Sequence, residues 1–431
     1  MTVTLIGFAA LFSLIFLRVP IGLALGFVGF LGYATIVDVG PAASLVAQTI
    51  RDAGHSYTLS VIPMFVLMGN LVARSGLADD LYAAANAFIG HRKGGLAMAT
   101  VIACGGFASV SGSSVATAAT MSKVSFPAMR RFGYNDRLAT GAIAAGGTLG
   151  ILIPPSVIMV IYGVMTETHI GKLFAAGLLP GLVGIAGYIA AVRWTVWRDP
   201  ASGPAGPRMP WRERWRVLRG VVGVLTLFLI VMGGIYGGLF TPTEASGIGA
   251  FGATVFAAFR KRLTTAVTYD VLSETARTTA MIFFVLMGAL IFAEFVSFAG
   301  MPEALVELIR FMALSPLAVI AVMMGIYLVL GCVLDSLAMI LLTVPIFFPI
   351  VMALGYDPVW FGVLIVVVIE IGLITPPIGM NVFVLNAMLA DVPVTSIFRG
   401  IVPFLGADIV RLAILVALPG ISLFLPKLFF G

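Results

Sequence analysis

Gly112-Ser113-Ser114, Phe126-Pro127, Gly133-Tyr134 and Gly150-Ile151-Leu152-Ile153-Pro154-Pro155 follow one another in the first half of the chain. Leu334-Asp335-Ser336, Phe348-Pro349, Gly355-Tyr356 and Gly372-Leu373-Ile374-Thr375-Pro376-Pro377 follow one another in the second, each 222 positions after its partner. The pentapeptide Phe65-Val66-Leu67-Met68-Gly69 recurs as Phe284-Val285-Leu286-Met287-Gly288, 219 positions on. Matches in the same order indicate an internal duplication, with a small or acidic turn and a Pro-Pro break in each copy. In an apolar chain, interruptions at corresponding positions of two halves point to a transport site.

The composition places those interruptions in a membrane. Hydrophobic residues make up 60% of the 431 and charged residues 10%, against about 25% charged in a soluble domain. The expected fold class is an all-α polytopic membrane protein. The net charge of +6 is no nucleic-acid signal, because the basic residues fall in connecting loops. Cys104 and Cys332 lie in apolar runs without metal spacing, and His55, His91 and His169 form no metal set. The N-terminus lacks a basic leader and reads as an uncleaved first span.

The expected organisation follows in order. Residues 1–57 form an N-terminal span, kinked at Pro20, and a surface arm at 40–56. The first repeat occupies 58–193. Its stretch 94–131 is apolar but interrupted at Ser111-Gly112-Ser113-Ser114, leaving halves too short to span, so a re-entrant hairpin is expected. A broken helix follows at 136–166. Residues 194–219, rich in proline and arginine, read as a cytoplasmic linker, and 220–275 as scaffold spans. The second repeat, 276–425, holds a hairpin at 315–351, a broken helix at 357–390 and a final span at 396–425. With the linker inside and alternating spans, 18 of the 25 Lys and Arg fall inside and 4 outside, which satisfies the positive-inside rule. The hairpins then enter from opposite sides, as inverted repeats.

The segments Ser111-Gly112-Ser113-Ser114, Gly150-Ile151-Leu152-Ile153-Pro154-Pro155-Ser156, Gly238-Leu239-Phe240-Thr241-Pro242-Thr243-Glu244-Ala245 and Glu370-Ile371-Gly372-Leu373-Ile374-Thr375-Pro376-Pro377-Ile378-Gly379-Met380-Asn381 resemble, in order, signatures of the large membrane subunit of tripartite ATP-independent periplasmic (TRAP) transporters. The resemblance covers essentially the whole chain. It implies an elevator-type, sodium-coupled importer of organic acid anions in the bacterial inner membrane. A small four-helix membrane subunit, expected as a separate polypeptide, and a periplasmic substrate-binding protein would be its partners. No cofactor beyond sodium as coupling ion is expected, and no catalysis.

The residue chemistry leads to similar sites. Sodium takes oxygen ligands, and broken helices free backbone carbonyls beside Ser/Thr hydroxyls. One site is expected from Ser111, Ser113 and Ser114 with Gly147, Thr148 and Gly150. The other is expected from Gly331, Asp335 and Ser336 with Gly372 and Thr375. Asp335 aligns with Ser113, so only the second site gains a carboxylate. Lys123, about ten residues beyond the first tip, is a candidate countercharge for substrate, or a lysine snorkelling to the headgroups. Ser156 and Asn381, closing the two Pro-Pro segments, join it as candidate substrate contacts. Glu370 could carry a proton, hold a cation or buttress the break, and Glu244 reads as a helix N-terminal acid. A binding-protein-independent sodium–dicarboxylate symporter is the alternative within the class. An intramembrane aspartyl protease using Asp335 and Glu370 is the alternative outside it. Its chemistry needs a pair of carboxylates, usually aspartates, and no second aspartate is expected within the spans.

Overall fold

The computed structural model describes residues 2–431, in which all regular structure is helical. The chain opens with α1 (Thr2–Phe16), α2 (Ile21–Ile36) and α3 (Val39–His55). Then come α4 (Val61–Arg74), α5 (Leu77–Ile89), α6 (Gly95–Ser111), α7 (Ser114–Arg131), α8 (Asp136–Thr148), α9 (Val157–Met165) and α10 (Ile170–Arg198). After α11 (Trp211–Tyr236) and α12 (Pro242–Phe259), the same order returns as α13 (Thr265–Phe298), α14 (Met301–Phe311), α15 (Pro316–Gly331), α16 (Ser336–Ala353), α17 (Pro358–Ile374), α18 (Met380–Met388) and α19 (Val394–Ala417). The chain closes with α20 (Gly420–Phe430). Each copy is thus a span, a short amphipathic helix, a two-helix hairpin, an interrupted helix and a second span. By length and composition α10, α11, α13, α16 and α19 can each cross a bilayer, and α1, α2, α6, α15, α17 and α20 are shorter apolar helices.

Several expected boundaries move, for local reasons. The first apolar segment is not one kinked span but two helices, because Arg18 takes a left-handed φ of 64° immediately before Val19-Pro20. The linker is shorter than 194–219. Helix α10 continues to Arg198 and α11 starts at Trp211, so the irregular stretch is 199–210, where all four prolines lie. Proline lacks the N–H that a helix interior needs. The final span is interrupted too: α19 stops at Ala417, before Pro419, and α20 packs beside α10.

Two groups of helices emerge. Helix α13 lies along α2, and α4 packs on α12 and α13. The approach of α2 to α13 is close enough that a Cβ on Gly288 would fall 2.1 Å from the Gly22 carbonyl oxygen. Small residues let membrane helices pack at such distances. At one end Arg74 pairs with Glu274 at 3.1 Å and Asp270 at 3.4 Å, and Asn70 donates to Thr275 Oγ1 at 3.0 Å. Helix α12 begins with a capping box: the Thr241 N–H donates to Glu244 Oε2 at 2.8 Å, and the Glu244 N–H to Thr241 Oγ1 at 3.3 Å. This fits the reading of Glu244 as a helix-starting acid. The second group is built from both hairpins and both interrupted helices. Helix α8 packs between α7 and α19, α10 against α6 and α19, and α15 against α17.

Candidate functional site

The first hairpin turns at Gly112, whose φ of +64° closes α6 in the left-handed conformation. A side chain there would be strained, and its Cβ would lie 2.8 Å from the Pro155 carbonyl oxygen. Glycine therefore sets both the turn and its seat on the break. Ser113 Oγ then accepts from the Ala116 N–H at 3.3 Å and caps α7. Thr117 Oγ1 donates to the Ser113 carbonyl at 2.7 Å and meets Ser111 Oγ at 2.9 Å. Opposite the tip, α8 ends at Thr148, the chain makes one tight turn at Leu149–Ile151, and α9 starts at Val157. A Cβ on Gly150 would fall 2.5 Å from the Ser113 carbonyl oxygen, and one on Gly147 would fall 2.8 Å from Ala118 Cβ. Ser111, Ser113, Gly147 and Gly150 are therefore gathered at one junction, with Ser114 beside them as the first residue of α7.

The second junction repeats the plan with other residues. Gly331 ends α15, Cys332 to Leu334 make the turn, and Asp335 caps α16 by accepting from the Ala338 N–H at 3.2 Å. A Cβ on Gly372 would lie 2.7 Å from Gly331 Cα, so tip and break touch backbone to backbone. Thr375 Oγ1 donates to the Ile371 carbonyl at 2.6 Å. Both Pro-Pro bonds, Pro154-Pro155 and Pro376-Pro377, are cis. Exposure separates the copies. Leu149 to Ser156 are all buried, whereas Pro376, Pro377 and Ile378 are exposed and Asp335 is half-buried.

Three expected residues stand elsewhere than at a tip. Thr148 is fully buried, and its hydroxyl donates to the Ala145 carbonyl at 2.7 Å and faces Tyr188 Oη at 3.1 Å. Ser156 is also fully buried. It donates to the Ile151 carbonyl at 2.5 Å and accepts from Met159 N–H at 3.3 Å, so its hydroxyl caps α9. Asn381 crosses between the copies, donating from Nδ2 to the Ala144 carbonyl at 3.2 Å, while its buried Oδ1 has no protein partner. Lys123 is exposed on α7, one residue after Ser122, whose hydroxyl lies 3.4 Å from Met388 Sδ on α18.

Glu370 has a partner that linear spacing does not supply. Arg411 Nη2 donates to Glu370 Oε2 at 2.5 Å and lies 2.8 Å from Asp408 Oδ1, too poorly aimed for a hydrogen bond there. Tyr188 Oη donates to Asp408 Oδ2 at 2.7 Å. All four side chains are buried. Gly184 leaves room for the guanidinium: a Cβ there would sit 2.2 Å from Arg411 Nη1. A hydrogen-bonded and ionic line thus runs from Thr148 beside the first break, through Tyr188, Asp408 and Arg411, to Glu370 two residues before Gly372. Asp408, fully buried on α19, is a second aspartate within the apolar helices and corrects the expectation of none. The signal was available as Asp408 and Arg411 at i, i+3 on one helical face. The two acids of the line are held on one guanidinium, which leaves no free pair for acid–base chemistry, and Asp335 is no part of it.

At the rim, Arg130 donates to Asp136 at 2.8 Å and also pairs with Asp391, in the loop between α18 and α19. The hydrogen bond from Arg130 holds the Asp391 carboxyl below the usual carboxylate range.

Comparison with known proteins gives this architecture relatives. The family described as "Tripartite ATP-independent periplasmic transporter, DctM component" matches residues 8–421. The C4-dicarboxylate TRAP transporter large permease protein DctM of Pseudomonas aeruginosa is 39% identical over 402 residues, covering 93% of each chain. The ectoine TRAP transporter large permease protein TeaC of Halomonas elongata is 32% identical over 430 residues, covering 99% of this chain and 100% of that one. Among solved structures, the YdaH transporter of Alcanivorax borkumensis superposes with a TM-score of 0.62, covering 89% of this chain and 90% of that one. At 14% identity it shares the fold alone.

Proposed function

This chain belongs to the DctM-component family of tripartite ATP-independent periplasmic transporters as a multi-pass large permease, a transporter subunit rather than an enzyme, and from that premise we propose that it imports an organic acid anion coupled to sodium. One observation carries the coupling: two hairpin tips, Ser111–Ser114 and Gly331–Ser336, each seat on an interrupted helix, which gathers backbone carbonyl and side-chain oxygens at one junction. Such junctions bind alkali cations through dipoles and neutral oxygens. The first would use Ser111, Ser113, Ser114, Gly147 and Gly150, with Thr148 as its link to the buried line. The second would use Gly331, Asp335, Ser336, Gly372 and Thr375. The substrate class rests on the relative named for C4-dicarboxylates, which are organic acid anions; ectoine, named for the other, carries its carboxylate within a zwitterion.

An elevator movement of the hairpin group against the α2–α13 group is the motion this division supports. The buried line would make the moving group one body. The orientation that puts the arginines of 193–219 inside, in the bacterial inner membrane, satisfies charge topology. A small membrane subunit and a periplasmic binding protein complete the assembly.

Proteoliposomes holding both membrane subunits test the proposal. Uptake should require an inward sodium gradient together with loaded binding protein. Full uptake driven by a proton gradient in sodium-free buffer would refute the coupling. Saturable uptake of free substrate without the binding protein would favour the symporter alternative.

Lys123 is the residue on which substrate charge can be tested. Its exposed ammonium on α7 makes no ion pair among the described residues. It lies about 13–15 Å along the helix from the tip. Lys123→Gln should lower uptake of anionic substrate about tenfold, the effect of losing one charge-assisted contact, with half-saturating sodium unchanged. Normal uptake by this variant would assign Lys123 to the headgroups instead.

A further inference from the structure

A cleft of about 970 Å³ opens where the loop after α5 meets the last two turns of α10. Arg92 and Lys93 line one wall, Arg193, Trp194 and Trp197 the other, and Met98 contributes to an apolar floor. We propose that this cleft binds the headgroup of an anionic phospholipid.

Charge comes first. Among the described residues none of Arg92, Lys93 and Arg193 makes an ion pair. No acid lines the cleft, and Asp199, just beyond α10, uses its carboxylate to accept from the Ala201 N–H at 3.3 Å. Three cations around one cavity without a counterion match a phosphate. The second feature is the aromatic pair. Trp194 and Trp197 lie 5.4 Å apart and are 49% and 73% exposed, and the Arg198 guanidinium sits 4.6 Å from the Trp194 ring centroid. Exposed tryptophans beside arginines at a helix end are amphipathic anchors at headgroup level.

The walls are also fixed in place. The Gly94 N–H donates to the Gly203 carbonyl at 2.8 Å, and the Gly206 N–H to the Gly90 carbonyl at 2.9 Å. The proline-rich stretch thereby pins the loop against the end of α10. Basic pockets between helices on the cytoplasmic side recognise anionic headgroups, and the proposed orientation puts this cleft there. A free phosphate would satisfy the cations but leave Trp194 and Trp197 uncovered, whereas a glycerophospholipid fills both parts. The site lies at the entry to the first hairpin, so the lipid would tether that hairpin's end to the inner leaflet.

Native mass spectrometry of the delipidated large and small subunits, titrated with phosphatidylglycerol or phosphatidylcholine, tests this. Phosphatidylglycerol should be retained at least tenfold more tightly. A basic residue near the surface contributes about fivefold, so Arg92→Gln/Lys93→Gln/Arg193→Gln should lose about a hundredfold. The control Arg212→Gln/Arg216→Gln/Arg219→Gln, which removes as many charges from exposed residues outside the cleft, should lose nothing. Unchanged retention in the triple variant, or equal loss in the control, overturns the proposal. Displacement of the lipid by aqueous glycerol 3-phosphate as readily as by excess phosphatidylglycerol would make this a soluble-phosphate site and overturns it too. If the triple variant does not purify as one species, Arg193→Gln alone, with about a fivefold loss expected, decides by the same measurement.

Discussion

Asp335→Asn is expected to abolish most sodium-dependent uptake while leaving the protein folded. Asp335 is the carboxylate at the tip of the second hairpin, where the first hairpin has Ser113. It also caps α16 through the Ala338 N–H. An alanine would remove both functions and cost about 1 kcal/mol as a lost cap, which would blur the result. Asparagine and serine are both good caps, and serine is what the first copy carries, so either isolates the charge. A contact to a charged group contributes about 1.5–3 kcal/mol, so half-saturating sodium should rise about ten- to a hundredfold. Sodium titration of uptake, paired with a melting curve, gives the answer. A wild-type sodium response in Asp335→Asn would reduce Asp335 to a cap.

Arg411→Leu is expected to destabilise the protein far more than the loss of any helix cap. Arg411 is 2% exposed, and Glu370 and Asp408 are wholly buried. Removing the guanidinium strands two carboxylates where neither water nor another cation reaches them. Breaking a buried pair by deleting one partner costs about 3–5 kcal/mol, whereas replacing the whole group with matching neutral residues is often close to neutral. Arg411→Leu should therefore lower the melting temperature sharply and reduce the yield of monodisperse protein. Adding Glu370→Gln and Asp408→Asn should recover much of the loss. Thermal unfolding of the purified variants measures both. A melting temperature for Arg411→Leu indistinguishable from wild type would mean that the line from Thr148 to Glu370 does not hold the hairpin group together.

The duplication made the hairpins, the interrupted helices and their order readable, because glycine, serine and proline mark turns and breaks by local chemistry. Expected hairpin limits of 94–131 and 315–351 sit within two residues of α6–α7 and α15–α16. The tip residues were readable for the same reason. The buried line was not. Its members come from α8, α10, α17 and α19, and its joins link residues 40, 220 and 41 positions apart. Periodicity and motif spacing are silent at that range, so Glu370 could be singled out as a buried acid without its partner being known. The protein partners of the Thr148 and Ser156 hydroxyls were equally out of reach of the sequence. A hydroxyl beside a break can bind a ligand or repair the break itself, and only the fold decides which.

The first break is sealed and the second lies open at Pro376, Pro377 and Ile378. Two halves written on one plan have thus settled into two shapes. Each half is then a template for the other: if the proposed cycle operates, giving the first the shape of the second, and the second that of the first, would describe its opposite end without a new conformation.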